Sequence, residues 1–97
     1  MGDWAALTSF IQVEASRVLN VPNIAADDNF FELGIDSLDA IKLVTHLEEL
    51  MPVELPLLAL LMENPSVRDL SGAIELELDH DSRHKVAAFL ATRQHQP

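Results

Sequence analysis

The hydroxyl of Ser37, set between Asp36 and Leu38 where an apolar helical pattern begins, is the group in this sequence best placed to take part in chemistry. A nucleophilic serine needs a general base within hydrogen-bond reach and an oxyanion hole, and its elbow commonly reads Gly-x-Ser-x-Gly after a strand. Neither feature is written here. Gly34 stands three residues before Ser37, and no strand pattern precedes it. His46 falls on the far side of the same helix, about 13 Å along it at 1.5 Å per residue. His80, His84 and His95 belong to the C-terminal stretch. A serine hydrolase is therefore a poor fit. His80 and His84 have metal-compatible spacing if helical, but no third ligand is fixed by pattern, so no metal is assigned. The chain has no cysteine, which removes disulfides, cysteine-ligated zinc and thiol chemistry by its own side chains.

The elements around Ser37 are helical by their spacing. Trp4, Leu7, Ile11, Ala15, Val18 and Leu19 recur at three- and four-residue steps after Asp3, a candidate N-cap, and predict a helix over 4–19. Residues 20–36 carry Pro22, Gly34 and several Asn and Asp, which predicts a long loop, with Phe30, Phe31 and Leu33 turned inward. A loop that long in a small domain is often functional. Asp36 is the expected cap of a second helix reaching about Leu50, with Asp39 supporting its first turn. Leu57 to Met62 reads as a short buried helix, and Ser66 with Asp69 opens a further one whose Val67, Leu70, Ala73 and Ile74 face inward. The fold expected is all-α, a small four-helix bundle of three longer helices and one short one, with a long first loop. Residues 1–78 form this unit. Residues 79–97 form an extension that is a fifth helix from about Ser82 to Arg93 packed on the bundle, with Val86, Phe89, Leu90 and Arg93 on one face, a frayed extension or linker, or a docking element for a partner protein.

Advancing about 100° per residue from Ser37 divides the second helix into two faces. Ala40, Leu43, Val44, Leu47, Leu50 and Met51 make the core stripe. Ser37, Leu38, Ile41, Lys42, Thr45, Glu48 and Glu49 share the other sector. Single exposed apolar residues and acidic helix faces are ordinary, but here two apolar side chains coincide with a serine at the mouth of a long loop. That sector is suited to being touched by another protein.

Sixteen acids against six Lys and Arg give a net charge of −10, which repels nucleic acid and favours basic partners. The balance is uneven, with fourteen acids and three bases in residues 1–78 and two acids and three bases in 79–97. The N-terminus has no signal-like pattern, and no apolar run reaches the roughly 18 residues of a membrane span. A monomeric, cytoplasmic protein that binds neither nucleic acid nor membrane is expected.

"LGIDSL" resembles the attachment motif of acyl and peptidyl carrier proteins, in which the serine receives a 4'-phosphopantetheine arm from coenzyme A. The resemblance continues through "DNFFELGIDSLDAIKLVTHLEEL" and more loosely through "VELPLLALLMENPSVRDLSGAI", roughly residues 4–76. It implies that Ser37 is the covalent anchor, that Gly34, Asp36 and Leu38 surround the arm, and that the protein carries thioesters without catalysing a reaction. It further implies a phosphopantetheinyl transferase as one partner. The others are an acyl- or aminoacyl-loading enzyme, an acyltransferase or synthase modules with basic surfaces, docking on Asp36, Leu38, Asp39, Ile41, Lys42, Thr45, Glu48 and Glu49.

Peptidyl carriers usually read Gly-Gly-Asp-Ser. Ile35 in place of the second glycine tilts the reading toward an acyl carrier of polyketide or related synthesis, with a peptidyl carrier as the alternative. Lys42, where housekeeping fatty-acid carriers place an acid, suggests a specialised pathway. An unmodified helical interaction module would share the acidic face but would not need Ser37.

Overall fold

The computed structural model describes residues 4–94, without the side chain of Gln94. Asp3 and His95 lie outside the described residues. Among the described residues five α-helices and one 3₁₀ turn account for the regular structure: α1 (Trp4–Leu19), the turn Phe31–Leu33, α2 (Ser37–Leu50), α3 (Leu57–Glu63), α4 (Val67–Glu77) and α5 (His80–Gln94). No strand is present among the described residues. α1 packs against α2, α4 and α5, while α3 bridges α2 and α4.

The core follows the helical periodicity. Leu7, Ile11 and Ala15 of α1 meet Leu43 and Leu47 of α2, Leu57 and Leu61 of α3, and Leu70 and Ile74 of α4 in one buried cluster. Burying a Leu or Ile side chain contributes about 1.5–3 kcal/mol, so these positions dominate stability. In α4 the inward face includes Ser71, whose hydroxyl is buried, whereas Ala73 is only half-buried. Leu50, expected in the core stripe of α2, is also half-buried, at the last turn.

The extension is a helix. Asp79 accepts the Ser82 amide at 2.7 Å and its carbonyl accepts the Arg83 amide at 2.9 Å, so α5 starts at His80, two residues before the expected Ser82. Val86 and Leu90 are buried in the common core, and Phe89 meets Phe10 edge-on with ring centroids 5.3 Å apart. The radius of gyration is 12.6 Å, against about 12 Å for a compact chain of this size. α5 lies on the bundle and does not project from it.

The long loop is fastened at several points. Gln12 Nε2 donates to the Ile24 carbonyl at 2.6 Å, and the amides of Phe30 and Arg68 donate to the carbonyls of Pro65 and Ala26 at 2.7 and 2.9 Å. Ile24, Phe30 and Ile35 are buried. The expectation that Phe31 and Leu33 turn inward is corrected, since they are 37% and 40% exposed. Asn29 Oδ1 accepts the amides of Phe31 and Glu32 at 2.8 and 3.2 Å. The resulting 3₁₀ turn holds Phe30 in the core while its neighbours face out.

Candidate functional site

Three local devices present Ser37. Gly34 has φ 94 and ψ 9, a left-handed conformation that L side chains rarely adopt, and its amide donates to the Phe31 carbonyl at 3.1 Å. A Cβ there would meet nothing within 4 Å, so the backbone angle, not lack of space, calls for glycine. Ile35 follows with its side chain buried and its amide on the Phe30 carbonyl at 3.2 Å, anchoring the chain as it enters α2. Asp36 then caps the helix. Its Oδ1 accepts the Asp39 amide at 2.9 Å, and Asp39 Oδ2 accepts the Asp36 amide at 3.4 Å, a reciprocal capping box.

Because Asp36 supplies the cap, the Ser37 hydroxyl is not committed to the helix start. Ser37 is the first residue of α2 and is exposed. The amides of Ser37 and Leu38 precede the first intrahelical bond and remain available for solvent or a ligand. Among the described residues no histidine serves Ser37 as a base. His46 Nε2 is hydrogen-bonded to Glu14 Oε1 at 2.6 Å on another side of α2, and His80 and His84 lie on α5 with their rings 4.7 Å apart. Among the described residues no group of three or more His, Cys, Asp or Glu is placed to hold a metal ion.

The outward face of α2 is as its periodicity requires. Leu38 is 69% and Ile41 45% exposed, and Lys42, Thr45, Glu48 and Glu49 are exposed beside them. Ala40, Leu43, Val44, Leu47 and Met51 are buried opposite. The exposed side chains of Phe31 and Leu33, in the turn just before α2, were missed by sequence reasoning. The signal available for them was Asn29, a residue suited to capping a tight turn.

The site fits a phosphodiester-linked arm. It offers an exposed hydroxyl, unpaired amides at the head of a 14-residue helix, whose dipole favours negative charge, and open space at Gly34. Asp36 and Asp39 oppose that charge. Their bonds to each other's backbone explain them as caps.

An all-helical bundle presenting an exposed serine at the head of an acidic helix has the make-up of a carrier domain. Residues 9–74, two thirds of the chain, match the family model described as "Phosphopantetheine attachment site", and the chain belongs to that family. The prosthetic group of this family is 4'-phosphopantetheine, and the chain is a carrier of this kind. It is 44% identical over 68 residues to a linear gramicidin synthase of Brevibacillus parabrevis, covering 70% of this chain and 1% of that protein. Tyrocidine synthase 3 of the same organism is 42% identical over 58 residues, covering 60% of this chain and 1% of the synthase. Indigoidine synthase of Streptomyces lavendulae is 33% identical over 81 residues, covering 84% of this chain and 6% of the synthase. The chain thus spans a few per cent or less of these relatives. No solved structure is a significant match.

Proposed function

We propose that this protein carries aminoacyl or peptidyl intermediates as thioesters on a 4'-phosphopantetheine arm attached to Ser37, and delivers them to the enzymes of a nonribosomal peptide pathway. The supporting observation is the exposed Ser37 hydroxyl at the head of α2, relieved of capping by Asp36 and without a histidine base among the described residues. Such a serine suits modification by a separate transferase better than catalysis of its own. The bound arm supplies the thiol that the cysteine-free chain lacks.

The chain's own residues present and orient. Gly34 and Ile35 fix the approach to α2, and the capping box holds its first turn. Leu38 and Ile41 offer apolar contact beside Ser37, while Asp36, Asp39, Glu48 and Glu49 favour a basic partner surface, with Thr45 and Lys42 on the same face. Association through such a face is fast, weak and salt-sensitive.

The peptidyl reading is favoured over the polyketide one because the relatives include synthases named for gramicidin, tyrocidine and bacitracin. Ile35, which tilts the sequence reading the other way, is a buried core residue whose identity answers to packing. The discriminating experiment loads the phosphopantetheinylated protein in parallel with an amino-acid-adenylating enzyme of a peptide pathway and with a malonyl-transferring enzyme, and follows intact mass. Aminoacyl gain without malonyl gain is expected. Malonyl gain alone would move the assignment to the polyketide class.

A further inference from the structure

Among the described residues Glu14 is the single buried charged side chain, and it lies on a face that the carrier reading does not use. A buried carboxylate is costly unless its oxygens are satisfied. Here they are satisfied from three elements. Oε1 accepts from His46 Nε2 of α2 at 2.6 Å, Oε2 accepts from Arg93 Nη2 of α5 at 3.2 Å, and Arg17 of α1 stands 3.7 Å from Oε2. Arg93 is itself held in place, with its guanidinium 5.1 Å from the Phe10 ring centroid and 5.4 Å from that of Phe89.

These contacts join two parts of the molecule. α2 carries Ser37, and it packs on α1, with Ala40, Leu43 and Leu47 in the buried cluster that also holds Leu7, Ile11 and Ala15. Apolar contact is non-directional and tolerates small rolls of one helix on another. The hydrogen bond between His46 and the Glu14 carboxylate on α1 is directional, and a roll of α2, which would turn Ser37, Leu38 and Ile41, would break it. The same carboxylate is held from its other side by α5, an element outside the matched residues 9–74.

We infer that Glu14 is a positioning residue for the attachment helix, acting through His46, and that Arg93 of α5 holds it in place. The inference rests on the reading of Ser37 as the attachment point. α5 is then a working part of the carrier, because its docking fixes the carboxylate that orients α2.

The test uses the full chain with Arg93→Ala, Arg93→Lys and Glu14→Gln, of which the last preserves volume, and circular dichroism establishes that each variant is folded. Two readouts are taken: residue-resolved amide hydrogen exchange, and transferase kinetics with this protein as substrate. For Arg93→Ala and Glu14→Gln, exchange from Leu43 to Leu50 is expected to accelerate about tenfold more than exchange in α4. The transferase KM is expected to rise about fivefold, with kcat within about twofold of the parent. Arg93→Lys should recover most of both. Equal acceleration throughout the molecule, or faster exchange in α2 with no change in KM, would overturn the inference. If the parent protein accepts no phosphopantetheine, the reading of Ser37 fails, and the exchange comparison alone still decides whether Glu14 holds α2.

Discussion

Asp36 and Ser37 differ at the head of α2, one satisfying the backbone and the other left exposed. That difference was legible in the sequence because a cap and its partner lie three residues apart. Ser66 and Asp69 were legible in the same way, with the Asp69 amide donating to Ser66 Oγ at 3.1 Å. Glu14 was not, because His46 and Arg93 come from positions 32 and 79 residues away and no local pattern announces them. Ser71 was also unforeseen. Its buried Oγ has no hydrogen-bond partner among the described residues, and an unpaired buried hydroxyl costs about 1–3 kcal/mol of desolvation. Ser71→Ala is therefore expected to stabilise the protein by about 1 kcal/mol. A rise in the urea midpoint with unchanged slope would show it, and a fall would mean that the hydroxyl has a partner in solution.

Helix positions and faces were readable wherever apolar residues recur at the helical period, as in α1 and α2. The 3₁₀ turn was not, since Phe30, Phe31 and Leu33 are alike in hydropathy and only the turn's geometry decides which of them enters the core. Gly34 ends that turn at φ 94. Gly34→Ala is expected to destabilise by about 1–2 kcal/mol through backbone strain alone, because the added methyl meets no neighbour. Equilibrium denaturation beside Gly72→Ala, a position in α4 with equally open space, separates strain from crowding. At the start of α5, the hydrogen bonds from the backbone and side chain of Ser82 hold the Asp79 carboxyl below its ordinary value of 3.8. A depressed carboxyl stabilises the folded state above that ordinary value, and the contribution is lost as pH falls through the lower folded one. The amide resonances of His80–Arg83 should therefore shift only on acidification below about pH 4, and Asp79→Ala should remove that shift. The same shift persisting in Asp79→Ala would contradict the role given to this cap.

At the scale of the whole molecule, charge and shape act together. A net charge of −10 surrounds a compact bundle whose exposed apolar residues include Leu38 and Ile41 beside Ser37. The bundle itself was legible from periodicity. The docking of α5 was legible only as one alternative, because its packing depends on Phe10, Glu14 and Glu75, residues on other helices. Arg83 shows this, donating to the Glu75 carbonyl at 2.9 Å while lying 5.5 Å from the Trp4 ring centroid. The central claim is that Ser37 is an anchor. Its most direct test is the intact mass of the purified protein after incubation with coenzyme A, magnesium and a broad-specificity phosphopantetheinyl transferase, beside Ser37→Ala. One added phosphopantetheinyl group on the parent and none on the variant is the predicted result. No addition to a parent shown to be helical by circular dichroism, or equal addition to the variant, would contradict it.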